Sequence, residues 1–236
     1  MTVAGIIPAR YASSRFPGKV LTPIHGFPMV HQAYRRATRA ASLDEVLIAT
    51  DSREVAETCR GLGDTVVITT GDHKSGTDRI AEAARDLSAD LIVNIQGDEP
   101  QLNPGTIDRL VEHMHDQPHL LMGTVGSTSI TAEDRADANV VKVIARDGLA
   151  AAFFRQLPLS PLDGTILRHI GLYAYRADFL QTFTATPASA GEREFQLEQL
   201  RALEMGTAIG VVSLDETARG VDTPEDLERV MVEWHE

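Results

Sequence analysis

The chain has 236 residues, of which 43% are hydrophobic and 24% charged, a composition typical of a globular protein with a sizeable buried core. Its formal net charge of −12 at pH 7 argues against nonspecific nucleic-acid binding, which needs a basic surface. No apolar run approaches the roughly 18 residues of a membrane span, and the N-terminal residues lack the pattern of a secretory signal. The only cysteine, Cys59, excludes an internal disulfide framework. We therefore expect a cytoplasmic protein with neither a membrane nor a nucleic-acid partner.

Short apolar runs alternate with helical patterns through the first half of the chain. The predicted strands are "VAGIIPA", "EVLIAT", "TVVITT" and "ADLIVNIQG", and the helices between them are "HQAYRRATRAASL", "REVAETCRGLG" and "GTDRIAEAARDLS". Continuous Val- and Ile-rich strands separated by helices are typical of a parallel sheet covered on both faces. This half is therefore predicted to have the α/β class, with a mostly parallel sheet flanked by helices.

The second half contains more strand patterns. "PGTIDRLVEHMHDQ" predicts a helix, "NVVKVIARDGLAAAFF" a hairpin with an Asp-Gly turn, and "RHIGLYAYR" and "AIGVVSL" further strands. "EREFQLEQLRALEMG" predicts one helix ended by Gly206, and "TPEDLERVMVEWHE" a last helix capped by Thr223, with Pro224 at its first position. We expect one domain, with a nucleotide-binding core of about residues 1–125 and 207–236 and a smaller β-rich lobe of about 126–206.

The loop after the first strand, within "GIIPARYASSRFPGKVL", concentrates positive charge in an acidic chain. It contains Arg10, Arg15 and Lys19 together with the hydroxyls of Ser13 and Ser14. Ligands of open α/β sheets bind at the carboxyl ends of the strands, where such groups can surround a polyphosphate. The loop does not have the residue order of a Walker motif. It predicts a phosphate site, and the alternative is a solvated basic turn.

Two aspartates are predicted near the same edge of the sheet. Asp98 follows a buried strand in "NIQGDEP", with Gln96 two residues earlier on the same strand face, and Asp222 precedes the last helix in "GVDTPEDL". Mg²⁺ prefers a few carboxylates together with phosphate oxygens and water. Either aspartate alone can instead belong to an ordinary turn or a helix start. Together with the basic loop they predict Mg²⁺-assisted nucleotidyl transfer, in which pyrophosphate leaves.

Several segments together resemble one family of sugar-activating enzymes. They are "IIPARYASSRFPGK", "ATD", "SGTDRIAEA", "VNIQGDEP", "NVVKV", "RHIGLYAYR", "LEQLRALE" and "GVDTPEDLERV". These segments resemble the 3-deoxy-manno-octulosonate (Kdo) cytidylyltransferases, in register from residue 3 to about residue 231. The resemblance implies transfer of CMP from CTP to the anomeric hydroxyl of an acidic sugar, with Mg²⁺, in lipopolysaccharide biosynthesis. It also implies a Rossmann-like nucleotidyltransferase fold whose β-rich lobe serves acceptor binding and dimerisation, and a protein that forms homodimers.

The resemblance assigns site residues in three groups. Those that would bind CTP are Arg10, Ser13, Arg15, Lys19, His73, Ser75, Gly76, Asp78 and Gln96. Asp98 and Asp222 would bind the metal, and with Arg10 and Lys19 they form the catalytic set. Those that would contact the acceptor are Arg155, His169, Tyr173, Glu198 and Gln199, for which ordinary packing is the alternative. Ser75, Gly76 and Thr77 also have the pattern of a helix cap, and the two roles can coexist.

The acceptor side departs from the family pattern in two places. Only residues 156–167 separate Arg155 from Arg168, which is a short connection for the family, and Phe195 stands where the family's helix usually has a second Glu. A site built for hydroxyls loses affinity when a polar group is left unpaired. These departures favour, as an alternative, the same CMP transfer to another ulosonic acid or a small phosphonate. A non-catalytic nucleotide-binding protein is a further alternative, and the retained catalytic set argues against it.

Overall fold

The computed structural model describes residues 1–11, 18–217 and 219–234. The chain divides into two compact units. Unit 1 consists of Met1–Asp108 and Ala218–Glu236, and unit 2 of Arg109–Thr217. The roles assigned from sequence to a nucleotide-binding core and an acceptor lobe stay predictions. Within the described ranges, no helix has the length and apolar character needed to span a membrane.

The secondary structure follows the predicted alternation in the first half and is richer than predicted in the second. The strands are β1 (Val3–Pro8), β2 (Pro23–Ile24), β3 (Phe27–Pro28), β4 (Glu45–Thr50), β5 (Val66–Ile68), β6 (Leu91–Asn94), β7 (Met122–Ser127), β8 (Lys142–Arg146), β9 (Leu149–Phe154), β10 (Thr165–Arg176) and β11 (Ile209–Leu214). The α-helices are α1 (Met29–Ala37), α2 (Arg53–Gly61), α3 (Gly76–Ala84), α4 (Pro104–Asp116), α5 (Ala132–Ala136), α6 (Ala177–Ala185), α7 (Ala190–Phe195), α8 (Gln199–Glu204) and α9 (Pro224–Val232). A 3-10 helix spans Lys19–Leu21.

Unit 1 contains a parallel sheet with the strand order β5–β4–β1–β6. The side chains of Ala4, Ile6 and Ile7 on the central strand β1 are fully buried. Such an unbroken apolar strand fits a parallel sheet that is covered on both faces. Helices α1, α2 and α3 connect successive strands of this sheet. The predicted α/β class with a parallel sheet is therefore confirmed.

Two glycines allow other segments to approach the carboxyl end of β1. A Cβ atom on Gly97, in the turn after β6, would lie 3.3 Å from Ile7 Cγ2 and 3.4 Å from the carbonyl oxygen of Pro8. A Cβ atom on Gly76, at the start of α3, would lie 3.2 Å from the Pro8 ring. The absence of a side chain at both positions lets the turn after β6 and the first turn of α3 meet the end of β1.

Unit 2 contains a mixed sheet with the order β10–β7–β11–β9–β8, in which β10 also pairs with β8. Only the β7–β11 pair of these ladders is parallel. The predicted hairpin is formed by β8 and β9. Its turn residues Asp147 and Gly148 have φ values of 52° and 76°, as a two-residue type I′ turn requires.

The prediction of a single helix over residues 192–206 is wrong, because the structure has two helices there, α7 and α8. Gln196 ends α7 in the left-handed conformation, with a φ of 54°. The carbonyl oxygens of Phe195 and Gln196 accept hydrogen bonds from Arg155. A contact from a distant part of the sequence thus supports the break. Gly206 follows α8 with a φ of 76°, which confirms the predicted end.

Candidate functional site

Lys19 joins the two predicted metal-binding aspartates of unit 1. Its Nζ donates hydrogen bonds to Asp98 Oδ2 at 2.7 Å, to the carbonyl oxygen of Val221 at 2.9 Å and to Asp222 Oδ1 at 3.1 Å. An ammonium group has three donors, so these contacts use its full capacity. Residues that are far apart in the sequence therefore meet around one positive charge, as the sequence predicts for the two carboxylates.

The backbone holds this arrangement in place. The Val221 N–H donates to the carbonyl oxygen of Asp98 at 2.8 Å, which ties the segment before α9 to the turn after β6. Thr223 caps α9 through a reciprocal capping box with Asp226, whose Oδ2 also accepts from the N–H of Asp222 at 3.1 Å. The cap fixes the backbone on which the Asp222 carboxylate is carried.

The charges of the cluster offset each other. Burial alone would lower the pKa of Lys19, but the negative charges of Asp98 and Asp222 outweigh it, and the pKa is raised. The Lys19 side chain is 12% exposed, against 32% for Asp98 and 68% for Asp222. The lysine thus remains an ammonium at neutral pH. The Asp98 carboxylate is more exposed to solvent than the lysine, and the Asp222 carboxylate is the most exposed of the three.

The turn after β6 corrects one detail of the prediction. Strand β6 ends at Asn94, so Gln96 and Asp98 lie in a turn and not on a common strand face. The Glu99 N–H donates to the carbonyl oxygen of Gln96 at 3.2 Å and closes this turn. Gln96 Nε2 donates to Asn94 Oδ1 at 3.3 Å. The turn, rather than the strand, directs Asp98 towards Lys19.

The basic loop is described only at its two ends. The N–H of Gly18, which has a φ of 72°, donates to the carbonyl oxygen of Tyr11 at 3.1 Å, so the residues flanking the loop are tied together. The exposed Arg10 extends its Nη1 to 3.5 Å from the carbonyl oxygen of Lys74. The predicted phosphate ligands Ser13 and Arg15 lie outside the described residues, as does Ser14.

The segment predicted to contact cytosine begins with a helix cap. Ser75 Oγ accepts from the Asp78 N–H at 3.1 Å, and the Ser75 N–H donates to Asp78 Oδ2 at 3.2 Å. This reciprocal capping box confirms the expected cap, with Gly76 as the first residue of α3. The side chains of Ser75 and Asp78 therefore fix the start of the helix beside the end of β1.

Glu82, which the sequence analysis did not single out, organises the preceding loop. Its carboxylate accepts from the Thr70 N–H at 2.7 Å, from the Gly71 N–H at 3.0 Å and from His73 Nε2 at 2.6 Å. These hydrogen bonds, led by that from the Thr70 backbone, lower the pKa of Glu82 to about 2. The predicted CTP ligand His73 is thereby held in a fixed orientation.

Arg79 is another organising residue that the sequence analysis missed. Its side chain is 1% exposed and donates to Asp51 Oδ2 at 2.7 Å and to Thr69 Oγ1 at 2.5 Å. Asp51 and Thr69 directly follow β4 and β5, so Arg79 links the carboxyl ends of two neighbouring strands. Asp51 and Arg79 belong to segments that carry the family resemblance, "ATD" and "SGTDRIAEA", which was the available signal.

In unit 2, the predicted acceptor ligand Arg155 is bound to backbone. Its guanidinium donates to the carbonyl oxygens of Ala138 at 3.4 Å, Phe195 at 3.3 Å and Gln196 at 3.2 Å. Phe195, the residue that departs from the family pattern, has a side chain that is 53% exposed. Arg155 therefore joins the loop before β8 to the break between α7 and α8.

Lys142 supports Arg155 from within the sheet. This fully buried lysine donates to the carbonyl oxygens of Asp137 at 2.6 Å, Val140 at 2.7 Å and Arg155 at 2.6 Å. Burial lowers its pKa. Three carbonyl acceptors satisfy the three donors of the ammonium, which identifies Lys142 as a structural cation.

His169 and Tyr173 flank an irregularity in β10. The register with β7 shifts between Ile170 and Tyr173, and a bulge of this kind re-aims the side chains around it. The hydroxyl of Thr124 donates to the carbonyl oxygen of Leu172 at 2.8 Å, so it accepts from His169 Nε2 at 3.1 Å. The imidazole is neutral, because burial and then the charge of Arg168 lower its pKa to about 3.

Glu198 and Gln199 lie at the start of α8 beside a buried ion pair. Arg201 forms a two-pronged pair with Glu192, with both N–H···O distances at 2.6 Å, and its guanidinium lies 3.5 Å from Glu198 Oε1. The carbon of this guanidinium also lies 4.5 Å from the centre of the Phe183 ring. Gln199 is 5% exposed. Gln199 is therefore buried, whereas Glu198 keeps a partly exposed carboxylate.

Comparison with known proteins matches this chain over almost its whole length. A family model described as Cytidylyltransferase covers residues 4–209. The 3-deoxy-manno-octulosonate cytidylyltransferase of Syntrophobacter fumaroxidans is 48% identical over 240 residues, which cover 98% of this chain and 96% of the relative. The protein of the same name from Geobacter sulfurreducens is 44% identical over 246 residues, with 98% of each chain covered.

A solved structure agrees with the sequence relatives. A protein described as CMP:2-keto-3-deoxy-manno-octonic acid synthetase, complexed with CTP, aligns with a TM-score of 0.93 and 38% identity over 98% of both chains. The fold, the family model and the relatives at 44% and 48% identity therefore agree. This chain belongs to the cytidylyltransferase family.

Proposed function

We propose that this chain transfers CMP from CTP to 3-deoxy-manno-octulosonate and releases pyrophosphate. The observation that carries the proposal is the identity of 48% to a relative of that name over 98% of this chain. A structural relative that is 38% identical was solved with CTP bound, which supports CTP as the donor. The Lys19–Asp98–Asp222 cluster supports a catalytic rather than a purely binding role, because it gathers the two carboxylates that the reaction requires.

The proposed reaction is an in-line displacement at phosphorus. An oxygen of the acceptor hydroxyl forms a bond to the α-phosphorus of CTP, while the bond from that phosphorus to the bridging oxygen of the β-phosphate breaks. The hydroxyl gives up its proton to solvent water, and pyrophosphate leaves with the bonding electron pair. Arg10 and Lys19 would stabilise the negative charge that develops on the phosphates, and the predicted phosphate ligands Ser13 and Arg15 would act with them.

Asp98 and Asp222 fit a divalent cation of the Mg²⁺ type. Among the described residues no group of three or more His, Cys, Asp or Glu side chains could hold a metal ion, so protein ligation would rest on these two aspartates. Mg²⁺ characteristically uses one or two carboxylates and takes its other ligands from substrate phosphates and water. When bound, the ion would neutralise charge on the phosphate oxygens. Lys19 would keep the two carboxylates correctly oriented.

The other CTP contacts remain part of the proposal. His73, Ser75, Gly76 and Asp78 would contact the cytosine, with Gln96 near the nucleotide. The capping box at α3 and the hydrogen bond between His73 and Glu82 support this role, because they fix this segment beside the end of β1. A preordered segment loses less conformational entropy when a base binds to it.

The acceptor contacts are proposed on unit 2. Arg155, His169, Tyr173, Glu198 and Gln199 would surround the acidic sugar, directly or through the backbone they position. The neutral imidazole of His169 suits a hydrogen bond to a hydroxyl group. Transfer to another ulosonic acid or a small phosphonate, suggested by the short connection and by Phe195, is not favoured, since the full-length relatives are named for octulosonate.

We also propose that the enzyme works in the cytoplasm as a homodimer. The location follows from the substrates of a biosynthetic cytidylyltransferase and agrees with one buried thiol, Cys59, whose pKa burial raises to about 12. Such a thiol is a poor nucleophile and resists oxidation. The homodimer follows from the family resemblance, and sedimentation velocity tests it, with a mass of twice 25.7 kDa expected.

The acceptor assignment is tested with a panel of acids. Purified protein is mixed with CTP, Mg²⁺ and, separately, 3-deoxy-manno-octulosonate, N-acetylneuraminate or a small phosphonate, and pyrophosphate release is measured. We expect turnover with the octulosonate that exceeds the others at least a hundredfold in kcat/KM. A higher rate with a phosphonate or another ulosonate would overturn the acceptor. CTP binding without turnover on any acid would instead support a non-catalytic protein.

A further inference from the structure

A second concentration of positive charge in unit 1 lies at the C-terminal end of α1 and just after it, and is not used by the proposed reaction. Arg35, Arg36 and Arg39 line a pocket of about 380 Å³, counting its open mouth, together with Trp234 and Phe27. No acidic residue is among the described residues that line this pocket. The chain has 34 acidic residues against 22 Lys and Arg, so the lining of this pocket is more basic than the chain as a whole.

Aromatic rings hold two of these guanidinium groups at the pocket. The Arg35 guanidinium lies 5.7 Å from the centre of the Phe27 ring, and the Arg36 guanidinium lies 5.8 Å from the centre of the Trp234 ring. The His25 ring lies 5.5 Å from the Trp234 ring, and its Nε2 donates a hydrogen bond to the Met231 carbonyl oxygen, 3.1 Å away. The cations are therefore placed by the fold and not only attached to a mobile surface.

Two of the pocket's cations, Arg35 and Arg39, have no carboxylate partner within the described residues. Neither Arg35 nor Arg39 forms an ion pair with a carboxylate of the described chain, and both are exposed. Burial, followed by the neighbouring charges of Arg39 and Arg35, lowers the pKa of Arg36. Like charges held close together repel each other, and a bound anion would relieve that repulsion.

A simpler explanation accounts for part of this pattern. Arg35 and Arg36 lie in the last turn of α1, where cations interact favourably with the helix dipole. That interaction needs neither a concave surface nor aromatic rings. It also does not account for Arg39, which follows the helix and lines the same pocket.

We propose that this pocket is a second anion-binding site, which takes the phosphate or pyrophosphate group of a small molecule. Guanidinium groups match phosphate oxygens in geometry and remain charged at every physiological pH. The pocket shares no residue with the Lys19–Asp98–Asp222 cluster. The proposal therefore does not depend on the reaction proposed above.

The lining of the pocket includes an intrinsic fluorescent probe, Trp234. Trp234 is the only tryptophan of the chain, so intrinsic fluorescence reports on this pocket. Trp234 also packs against the buried cluster that contains Val221, whose carbonyl oxygen accepts from Lys19. A ligand at the catalytic cluster can therefore also change the fluorescence, and variants are needed to separate the two sites.

The experiment compares the wild type with two double variants. Arg35→Gln/Arg39→Gln removes two exposed cations of the pocket, and Arg53→Gln/Arg109→Gln removes two exposed cations elsewhere as a matched control. Each protein is titrated with pyrophosphate, inorganic phosphate or CTP in EDTA at constant ionic strength. Binding is measured by calorimetry and by Trp234 fluorescence, and circular dichroism confirms that each variant is folded.

We expect saturable pyrophosphate or phosphate binding that the pocket variant weakens at least tenfold and the control variant leaves unchanged. A response to CTP that the pocket variant also loses would identify a nucleotide phosphate as the ligand. If the pocket variant loses binding of pyrophosphate or phosphate but not of CTP, the ligand of the pocket is the free anion. No binding, a pocket variant that binds phosphate and pyrophosphate with the affinity and stoichiometry of the wild type, or an equal response to potassium chloride would overturn the proposal.

Discussion

The ammonium group of Lys19 and the carboxylate of Asp98 lie 2.7 Å apart, on segments separated by 79 positions in the chain. The lysine is the more buried partner, and the Asp98 carboxylate is the more exposed to solvent. The same ammonium reaches Asp222. Lys19 therefore orients both carboxylates, in addition to the phosphate-binding role that its position after the basic loop predicts.

Asp98→Asn is expected to reduce pyrophosphate release by roughly a hundredfold or more, because it removes a charge placed where the phosphates react. The fold should be retained, since Asn can still accept a hydrogen bond from Lys19. Steady-state kinetics and circular dichroism measure both. The exposed Asp86→Asn variant serves as the control and should be as active as the wild type. An active Asp98→Asn would remove Asp98 from the catalytic set.

Lys19→Ala is expected to lower kcat/KM for CTP by roughly tenfold to a hundredfold, because it removes a positive charge beside the phosphates. It also leaves Asp98 and Asp222 without the cation that offsets their repulsion. Initial rates at varied CTP concentration measure the effect. Lys74→Ala, which removes an exposed lysine, should keep wild-type kinetics. Unchanged CTP kinetics in Lys19→Ala would contradict this role.

Glu82→Gln should destabilise the protein in a pH-dependent way. The Glu82 pKa of about 2 is below the usual value of 4.5, so its stabilising contribution is complete above pH 4.5 and is lost as the pH falls towards 2. Urea unfolding at pH 7 and at pH 3 should therefore show a smaller difference between wild type and variant at the lower pH. Glu57→Gln, at an exposed ion pair, is the control. A difference that grows on acidification would contradict the assigned hydrogen bonds.

His169 should remain neutral well below the pH at which an ordinary histidine becomes charged. Its pKa of about 3 is lower than 6.5, so the folded state prefers the uncharged ring, and this residue's contribution to stability is lost as the pH falls below 6.5. Nitrogen chemical shifts of the imidazole, followed by NMR from pH 8 to pH 4, should stay those of a neutral ring with the proton on Nε2. Protonation near pH 6 would contradict the buried environment.

Arg201→Leu should reduce the free energy of unfolding by up to about 3 kcal/mol, because it leaves the largely buried carboxylate of Glu192 without its partner. The double variant Glu192→Leu/Arg201→Leu should recover part of that loss. Urea denaturation measures both, with the exposed Arg193→Leu as the control. If the double variant loses more free energy of unfolding than the two single variants lose together, the result would contradict the ion pair as described.

Elements with local signals were predictable from the sequence. Thr223 and Pro224 mark the start of α9, and an Asp-Gly pair at 147–148 marks the β8–β9 turn, because cap and turn preferences depend on neighbouring residues only. Strand β7 was missed, since its glycines weaken the strand pattern. A Cβ atom on Gly126 would lie 2.6 Å from Leu167 Cδ1, so close packing with another part of the sequence requires this glycine.

Some residues of the candidate site were likewise predictable from the sequence, and others were not. The meeting of Lys19 and Asp98 was predictable because segments that follow the neighbouring parallel strands β1 and β6 gather at one edge of the sheet, and Asp222 was predicted from its place before α9. Glu82 and Arg79 were not, since their roles depend on which loop each carboxylate or guanidinium meets in three dimensions. The break at Gln196 likewise depends on Arg155, forty-one positions earlier in the chain.

Product analysis by phosphorus NMR tests the proposed reaction most directly. When the protein, CTP and Mg²⁺ are mixed with 3-deoxy-manno-octulosonate, we expect equal amounts of pyrophosphate and of one new phosphodiester, and both should form far more slowly with Asp98→Asn. Intact CTP, or hydrolysis of CTP to CDP and phosphate without a phosphodiester, would contradict it.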